Sequence, residues 1–254
     1  GWPGRFSPEV VRLAGASDDV SPMREACHDN ASAGRAPCIL GATAEPDSLL
    51  WGDSHGVELA YVLSLAARLE GRSLVQRTQS SCPPILGYSA PNNPRCAAVN
   101  RDVFDAIRSN PSIRTVYLSA FWANEAYTSP AVLDQLDQTI GALVADERRV
   151  VIIGAVPPAP FDVPRKLAFF AAKEERNRVR GLKRAEFEES TLGLRRLIKK
   201  WSQKGIVVID PIDTMCGPET CDVMRDGRPL YFDSHHLSIA GARLVLSETS
   251  LPQR

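Results

Sequence analysis

Five short apolar segments alternate along this chain with segments that have the periodicity of amphipathic helices, and this alternation constrains the fold most. The apolar segments, which we predict to be strands, are residues 48–51, 73–77, 115–119, 150–156 and 206–210. The segments with a helical period are residues 57–70, 97–109, 130–146, 173–204 and 238–248. Apolar strands separated by helices pair in parallel, with helices on both faces of the sheet. The pattern predicts a three-layer α/β domain over residues 48–254 with a five-stranded parallel sheet.

Residues 1–47 have a different composition. They contain many Pro, Gly, Ser, Ala and Asp residues and little hydrophobic periodicity, which favours irregular structure. We predict a largely irregular extension with one helical turn. No run of about 18 apolar residues occurs, so no membrane span is expected. Because neither a signal pattern nor an initial Met is present, we expect an excised or processed piece.

The charge balance disfavours one class of function. Lys plus Arg and Asp plus Glu each total 30, so the formal net charge is zero. A neutral chain has no long-range attraction to nucleic acid or to an anionic membrane surface. Hydrophobic residues make up 44% of the chain, which is enough to bury a core and excludes disorder throughout.

Six cysteines fall into three local pairs. Many pairings are possible for an even number of cysteines, but the short separations favour Cys27–Cys38, Cys82–Cys96 and Cys216–Cys221. Small loops closed by disulfides indicate an oxidising compartment. A metal site is the alternative, and it is disfavoured because no Cys-x-x-Cys occurs and the histidines do not lie at ligand spacing around the cysteines. We therefore predict three disulfides and no metal.

The segment Gly52-Asp53-Ser54 lies between the first predicted strand and the first predicted helix. A serine in such a turn is close to backbone N–H groups that can stabilise a developing anion. We expect Gly52 to remove a side chain that would crowd an incoming substrate. Gly, Asp and Ser are also ordinary turn and N-cap residues, so capping alone is the alternative explanation.

Near the other end of the chain, Asp233 and His236 precede a helix with Ser238 near its N-cap. In a tight loop the Asp233 carboxylate can accept the Nδ1–H of His236, which leaves Nε2 free to take a proton from a serine. Both this segment and Ser54 are expected at carboxyl ends of parallel strands, where open α/β folds place their sites. The residues predict Ser54 as nucleophile, His236 as base and Asp233 as its partner.

Together these segments resemble the SGNH (GDSL-like) hydrolase superfamily. More narrowly, the chain is similar to the SGNH domains fused to bacterial membrane acyltransferase-3 proteins. The segments that carry this similarity are Trp51-Gly52-Asp53-Ser54-His55, Ser80-Ser81-Cys82-Pro83-Pro84, and His236-Leu237-Ser238 followed by Gly241-Ala242. The resemblance implies the flavodoxin-like SGNH hydrolase fold and the same roles for Ser54, His236 and Asp233.

The resemblance also implies a function. It implies transfer of an acyl group, taken to be acetyl, to a hydroxyl of a bacterial surface polysaccharide such as lipopolysaccharide, through acyl-Ser54. No cofactor is implied, because a membrane acyltransferase domain in the same full-length chain would deliver the acyl donor. The implied location is periplasmic or extracellular, as the soluble domain of an inner-membrane protein. The extension would then join the two parts, or else form a strap packed across the domain.

Two alternative functions stay open. The first is a carbohydrate esterase or deacetylase that uses the same three groups with water as acceptor. The second is a non-catalytic module that binds glycan for a partner. An intact triad disfavours the module, because binding alone needs no base aligned to a serine.

The oxyanion donors implied by the resemblance are Ser54, Ser81 and Asn124. The chain has serine at position 81 where the superfamily usually has glycine, so either Ser81 donates or its loop is only structural. After the third strand the expected Gly-x-Asn-Asp is missing. Either Asn124 donates from a shifted position or Trp122 takes that place. Trp122 is also our candidate for substrate binding by stacking on a sugar, with packing in the pocket wall as the alternative.

The three histidines other than His236 are predicted to have no part in the chemistry. We predict a structural or capping role for His55, a surface position for His28, and no role as the base for His235, because the Asp-x-x-His spacing selects His236. Residues 157–170 form a long connection that we expect to act as a lid or a partner surface.

Overall fold

A computed structural model describes residues 3–29 and 36–247, so the predicted helix end at residue 248 lies outside the described residues. Its centre is a six-stranded sheet with strand order β1-β3-β2-β4-β5-β6. The strands are β1 (Cys38–Gly41), β2 (Ser48–Gly52), β3 (Ser73–Thr78), β4 (Thr115–Ser119), β5 (Arg149–Ile153) and β6 (Val207–Ile209). Strands β2 to β6 pair in parallel, and β1 pairs antiparallel with β3. The predicted five-stranded parallel sheet is confirmed, with β1 added at one edge.

Helices lie on both sides of this sheet. They are α1 (Pro8–Ala14), α2 (Arg24–Cys27), α3 (Gly56–Leu69), α4 (Cys96–Ser109), α5 (Pro130–Ala145), α6 (Val163–Ala171), α7 (Arg184–Ser190), α8 (Leu192–Gln203), α9 (Pro211–Met215) and α10 (Ile239–Val245). Strands β2 and β4 are buried at every position, as expected for parallel strands that are covered on both faces. Within the described residues, no helix has the length and apolar character that a membrane span requires.

The charged segment 173–204, predicted as one helix, is broken. Helices α7 and α8 meet at Thr191, whose hydroxyl donates to the Phe187 carbonyl oxygen at 2.7 Å. Before α7 the Leu182 carbonyl oxygen accepts the Cys221 N–H, and a Cβ at Gly181 would lie 2.1 Å from the Cys221 carbonyl oxygen. Pairing with the turn around Cys221 therefore overrides helix propensity in the first part of this segment.

The prediction of a largely irregular extension is wrong for the residues that the structure describes. Residues 3–29 contain α1 and α2, and residues 36–47 contain β1. The partner of β1 is β3, which lies more than thirty residues away in sequence, and local composition carries no signal for such pairing. The connection 157–170 likewise contains most of α6, which begins where the Asp162 side chain accepts the Arg165 N–H at 2.9 Å.

The three predicted disulfides, Cys27–Cys38, Cys82–Cys96 and Cys216–Cys221, are all present. The first joins α2 to β1, and therefore links two parts of the extension. The second joins the loop after β3 to the start of α4. Each of these links closes a short loop, which restricts the unfolded chain and stabilises the fold.

A buried ion pair fixes α2 to the domain. Arg24 Nη1 donates to both carboxylate oxygens of Glu58 in α3, at 2.9 Å each, and the Ser21 N–H donates to Glu58 at 3.2 Å. The Glu58 side chain is only 1% exposed. Burial raises the pKa of Glu58, and the Arg24 charge and these donated hydrogen bonds only partly oppose that effect. The Glu58 carboxylate therefore depends on Arg24 for its compensating charge.

Arg24→Ala leaves the Glu58 carboxylate buried without its cation. We expect the free energy of unfolding to fall by about 3 kcal/mol, because an uncompensated buried charge is strongly destabilising. Urea unfolding followed by circular dichroism measures the change. The control Lys183→Ala removes the cation of the exposed pair Lys183–Glu186 and should change stability by less than about 1 kcal/mol. If the two variants lost equal free energy of unfolding, the burial of Glu58 would not be the reason for the loss.

Candidate active site

Ser54 lies in the turn between the end of β2 and the start of α3, where the sequence places it, and it is half-buried. The reason for Gly52 differs from our expectation. A Cβ at Gly52 would lie 2.2 Å from the carbonyl oxygen of Ser119 in β4. Glycine is therefore required by the close approach of the β4 backbone, and not by room for a substrate.

The structure brings Ser54, His236 and Asp233 together. Ser54 Oγ lies 2.8 Å from His236 Nε2, and His236 Nδ1 lies 2.7 Å from Asp233 Oδ2. With its proton on Nδ1 donated to the carboxylate, His236 can accept the Ser54 hydroxyl proton on Nε2. The following helix α10 begins at Ser238, whose Oγ accepts the Gly241 N–H at 3.1 Å. The predicted N-cap of this helix is confirmed.

Asp233 is held by its own loop. Its Oδ1 accepts the backbone N–H groups of His235 and His236 at 2.8 and 2.7 Å. Burial acts to raise the pKa of Asp233, but the hydrogen bonds from His236 and from these two N–H groups outweigh it, so the pKa is far below its usual range. Asp233 therefore stays ionised at neutral pH and can accept the Nδ1–H of His236.

A second buried carboxylate, Asp53, joins the turn after β2 to the segment after β4. Asp53 Oδ1 accepts the His55 N–H and Oδ2 accepts the Phe121 N–H, at 2.9 Å each. Burial acts to raise the pKa of Asp53, but the contacts with His55 and the Phe121 N–H lower it overall. The sequence pattern indicates only a turn residue at Asp53. Its long-range partner, the Phe121 N–H, carries no sequence signal.

Aromatic rings stack around His236. Phe121 stacks on His55 with ring centroids 4.4 Å apart, and His55 stacks on His236 at 4.3 Å. Phe232 stacks on His236 at 5.2 Å, with an interplanar angle of 8°. His55 is 5% exposed and its side chain makes no N-cap hydrogen bond. Of the two roles predicted for His55, the structure therefore supports the structural one. The sequence analysis did not single out Phe121 or Phe232.

Three histidines in this stack are close enough to raise the question of a metal. A ring nitrogen of each of His55, His235 and His236 lies within 4.8 Å of those of the other two. However, His55 Nε2 and His235 Nδ1 are hydrogen-bonded to each other at 3.2 Å. Both nitrogens of His236 are also bonded, to Ser54 and Asp233. A cation could bind His236 only by displacing one of these bonds, so the arrangement fits acid–base chemistry better than metal ligation.

The loop after β3 is held by residues from the extension. Asp29 Oδ1 accepts the Ser80 N–H at 2.7 Å and the Gln79 side-chain amide at 2.8 Å, and its Oδ2 accepts the Ser80 hydroxyl at 3.1 Å. His28 bonds through Nδ1 to Thr78 Oγ1 at 3.1 Å and through Nε2 to Ser80 Oγ at 3.0 Å. The surface position predicted for His28 is wrong, because the side chain is 13% exposed.

Ser81 follows directly in this loop and has a left-handed backbone, with φ of 52°. A glycine adopts this conformation at lower cost, which agrees with the glycine expected here from the resemblance. The Ser81 side chain is exposed. Its oxyanion role stays a prediction, as does that of the Ser54 N–H.

Trp122 and Asn124, the candidates after β4 for substrate binding and for the oxyanion hole, make contacts of a different kind. Trp122 is 1% exposed, and its indole N–H donates to the Ile153 carbonyl oxygen at 3.0 Å. Trp122 has no free face for a sugar, so its predicted role in substrate binding is wrong and packing explains it. Asn124 Oδ1 accepts the Ala126 N–H at 3.0 Å and caps a short 3₁₀ helix. Its oxyanion role stays a prediction. Neighbouring Phe121 is half-buried and stacks on His55.

The sheet order, its flanking helices and the serine turn after β2 define an α/β domain of the SGNH hydrolase class. The family model described as "SGNH domain (fused to AT3 domains)" matches residues 26–249. The chain belongs to this family.

Several solved structures share the fold. The periplasmic domain of a lipopolysaccharide acetyltransferase from Salmonella ser. Paratyphi A is 18% identical, with 80% of this chain and 82% of that chain covered and a TM-score of 0.65. A carbohydrate acetylesterase from Sinorhizobium meliloti is 15% identical, with 80% and 96% covered and a TM-score of 0.45. At 18% identity, the likeness to the acetyltransferase domain shows the fold alone. No curated protein matches the chain.

Asp29→Ala tests whether the extension positions the loop that carries Ser81. The substitution removes the acceptor of the Ser80 N–H. We expect kcat for a chromogenic acetyl ester to fall about tenfold, or ~1.4 kcal/mol in the barrier, with KM changed less. The loss should fall mainly on kcat because the loop would donate to the oxyanion and not to the ground-state substrate. Steady-state kinetics measure both constants.

The control for Asp29→Ala is Glu189→Ala, which removes an exposed carboxylate on α7. We expect wild-type kinetics for this control. If Asp29→Ala also retains the wild-type kcat while remaining folded by circular dichroism, the loop does not depend on Asp29.

Proposed function

We propose that this domain carries an acyl group, taken to be acetyl, on Ser54 and transfers it to a hydroxyl of a bacterial surface polysaccharide. The observation that carries the proposal is the continuous chain of hydrogen bonds from Ser54 through His236 to Asp233. Membership of the family of SGNH domains fused to AT3 domains supports acyl chemistry and a membrane acyltransferase domain as partner. The lipopolysaccharide acetyltransferase with the similar fold supports a polysaccharide as acceptor.

In the first half-reaction, Ser54 Oγ attacks the carbonyl carbon of the acyl donor, and His236 Nε2 takes the hydroxyl proton. Asp233 stabilises the imidazolium that forms. Backbone N–H groups at Ser54 and Ser81 stabilise the oxyanion. Collapse of the tetrahedral intermediate breaks the bond to the leaving group, which takes the proton from His236 and leaves acyl-Ser54.

In the second half-reaction, the sugar hydroxyl oxygen attacks the acyl carbon of acyl-Ser54. His236 Nε2 takes the hydroxyl proton and then returns it to Ser54 Oγ as the ester bond to the serine breaks. The products are the acylated sugar and the free Ser54 hydroxyl. The donor is brought by the membrane acyltransferase domain, so no cofactor is needed. The setting is the periplasm or the cell exterior, which the three disulfides support.

Hydrolysis by the same groups is the second candidate, and two observations favour it. Trp122, the residue expected to hold a sugar by stacking, is buried. The site is also open enough for water, since the side chains of His236 and Asp233 are 15% and 33% exposed. A glycan-binding module is disfavoured, because binding alone does not need a serine hydroxyl bonded to an oriented histidine.

Ser54→Ala tests the nucleophile. We expect the wild-type chain to hydrolyse a chromogenic acetyl ester and the variant to lose nearly all of this activity, because no acyl-enzyme can form. His236→Ala should lose about as much. Asp233→Asn should lose less, since the asparagine can still orient the ring, although it favours the wrong tautomer. Unchanged turnover in Ser54→Ala would rule out the proposed chemistry.

Product partition separates transfer from hydrolysis. With saturating acetyl ester, we expect added oligosaccharide to divert acetyl from water to sugar, and mass spectrometry of the sugar measures the diverted fraction. Ester cleavage without sugar should be slow, because a transferase limits attack of water on its acyl-enzyme. If no oligosaccharide receives acetyl and hydrolysis is already fast, the esterase function replaces the proposed one.

A further inference from the structure

A second carboxylate–histidine chain lies beside the first. His55 Nδ1 lies 3.4 Å from the buried oxygen Asp53 Oδ1, and His55 Nε2 lies 3.2 Å from His235 Nδ1. His235 in turn lies next to the base, with its ring centroid 4.3 Å from that of His236. The proposed mechanism uses none of Asp53, His55 and His235 in a chemical step.

The surroundings of His55 determine where the protons of this chain lie. If His55 carried its proton on Nε2, the bare lone pair of Nδ1 would lie beside the ionised Asp53 carboxylate in a buried site, which is repulsive. With the proton on Nδ1, the N–H lies beside the carboxylate and is attracted by its charge, although the 3.4 Å contact does not have hydrogen-bond geometry. His55 Nε2 is then an acceptor, and the proton between the two rings belongs to His235 Nδ1. His235 therefore keeps its free lone pair on Nε2.

His235 is the more accessible of these two rings. His235 is half-buried, whereas His55 is 5% exposed. Burial, together with the neighbouring His236, lowers the pKa of His235, with Asp233 and Asp53 opposing. The ring is thus neutral at neutral pH. His235 lies on the same loop as the base, and its backbone N–H donates to Asp233 at 2.8 Å.

We propose that His235 Nε2 accepts a hydrogen bond from a second hydroxyl of the acceptor, next to the hydroxyl that His236 deprotonates. The site then selects acceptors that carry two neighbouring hydroxyls, as sugars do. This inference rests on the proposed function, and it assigns a specificity role to His235. His235 is not a second base for Ser54, because the serine hydroxyl is bonded to His236.

Nitrogen-15 NMR of the histidine rings tests the tautomer without any activity. We expect His235 Nε2 to have the chemical shift of a bare nitrogen and Nδ1 that of a protonated one. Asp53→Asn should weaken this preference, because it removes the charge that holds the His55 proton on Nδ1. A protonated Nε2 on His235 in the wild-type chain would overturn the proposal.

Titration of Ser54→Ala with ethylene glycol and with ethanol tests the contact itself, whether or not the chain catalyses transfer. Ethylene glycol has two neighbouring hydroxyls and ethanol has one. We expect ethylene glycol to shift the His235 Nε2 resonance, and ethanol to shift it much less at the same hydroxyl concentration. Equal shifts with both alcohols, or no shift with either, would overturn the proposal.

Acetyl partition between the same two alcohols tests the consequence. Per hydroxyl, we expect the wild-type chain to favour ethylene glycol about fivefold, the effect of one additional neutral hydrogen bond. His235→Phe keeps an aromatic ring for stacking but has no nitrogen. The variant should therefore acetylate the two alcohols about equally per hydroxyl. His235→Gln restores an acceptor oxygen and should recover part of it.

The outcomes separate the two proposals. Full ester cleavage by Ser54→Ala would contradict the proposed function. Transfer by the wild-type chain with no preference for ethylene glycol would contradict the role of His235 alone. If His235→Phe loses transfer to both alcohols equally while remaining folded, His235 is a structural support of the base, and the specificity role is likewise excluded.

Discussion

The buried carboxylate of Asp53 fixes the geometry of the whole site. It joins the turn after β2 to the segment after β4 through the N–H groups of His55 and Phe121. At 2% exposure an ionised carboxylate is stable only because such donors replace the lost water. Ser54 lies between Asp53 and His55 in the turn that this carboxylate closes. The position of the nucleophile therefore depends on hydrogen bonds that its own hydroxyl does not make.

The N-terminal segment belongs to the same arrangement. Arg24, which compensates Glu58, also lies over the Phe232 ring, 5.0 Å from its centroid, and Phe232 stacks on His236. Asp29 holds the loop after β3. Changes in this segment can therefore affect His236 and the loop after β3 without direct contact with a substrate.

Short-range spacing predicted much of the fold and of the candidate site. The alternation of strands and helices, the neighbouring cysteine pairs and the spacing of Asp233 and His236 are local patterns. The errors concern partners that are distant in sequence. Phe121 and Trp122 are adjacent aromatic residues, and only their place after β4 decides that Trp122 is buried while Phe121 stacks on His55. The break in segment 173–204 and the strand β1 likewise depend on tertiary pairing.

Competition between water and sugar is the problem that the proposed role of His235 would address. In the proposed transfer, the acyl-serine would be surrounded by water as well as sugar, and His236 could deprotonate either one. A single acceptor atom at the base binds water and a sugar hydroxyl through the same hydrogen bond. A second acceptor on His235 would bind a neighbouring hydroxyl of the sugar while the first hydroxyl stays bonded to His236. A single water molecule cannot make both hydrogen bonds in this way, so the sugar would be held in the reactive position more often than water. Because the buried Trp122 offers no stacking surface, the proposed preference for transfer over hydrolysis would rest on polar contacts of this kind.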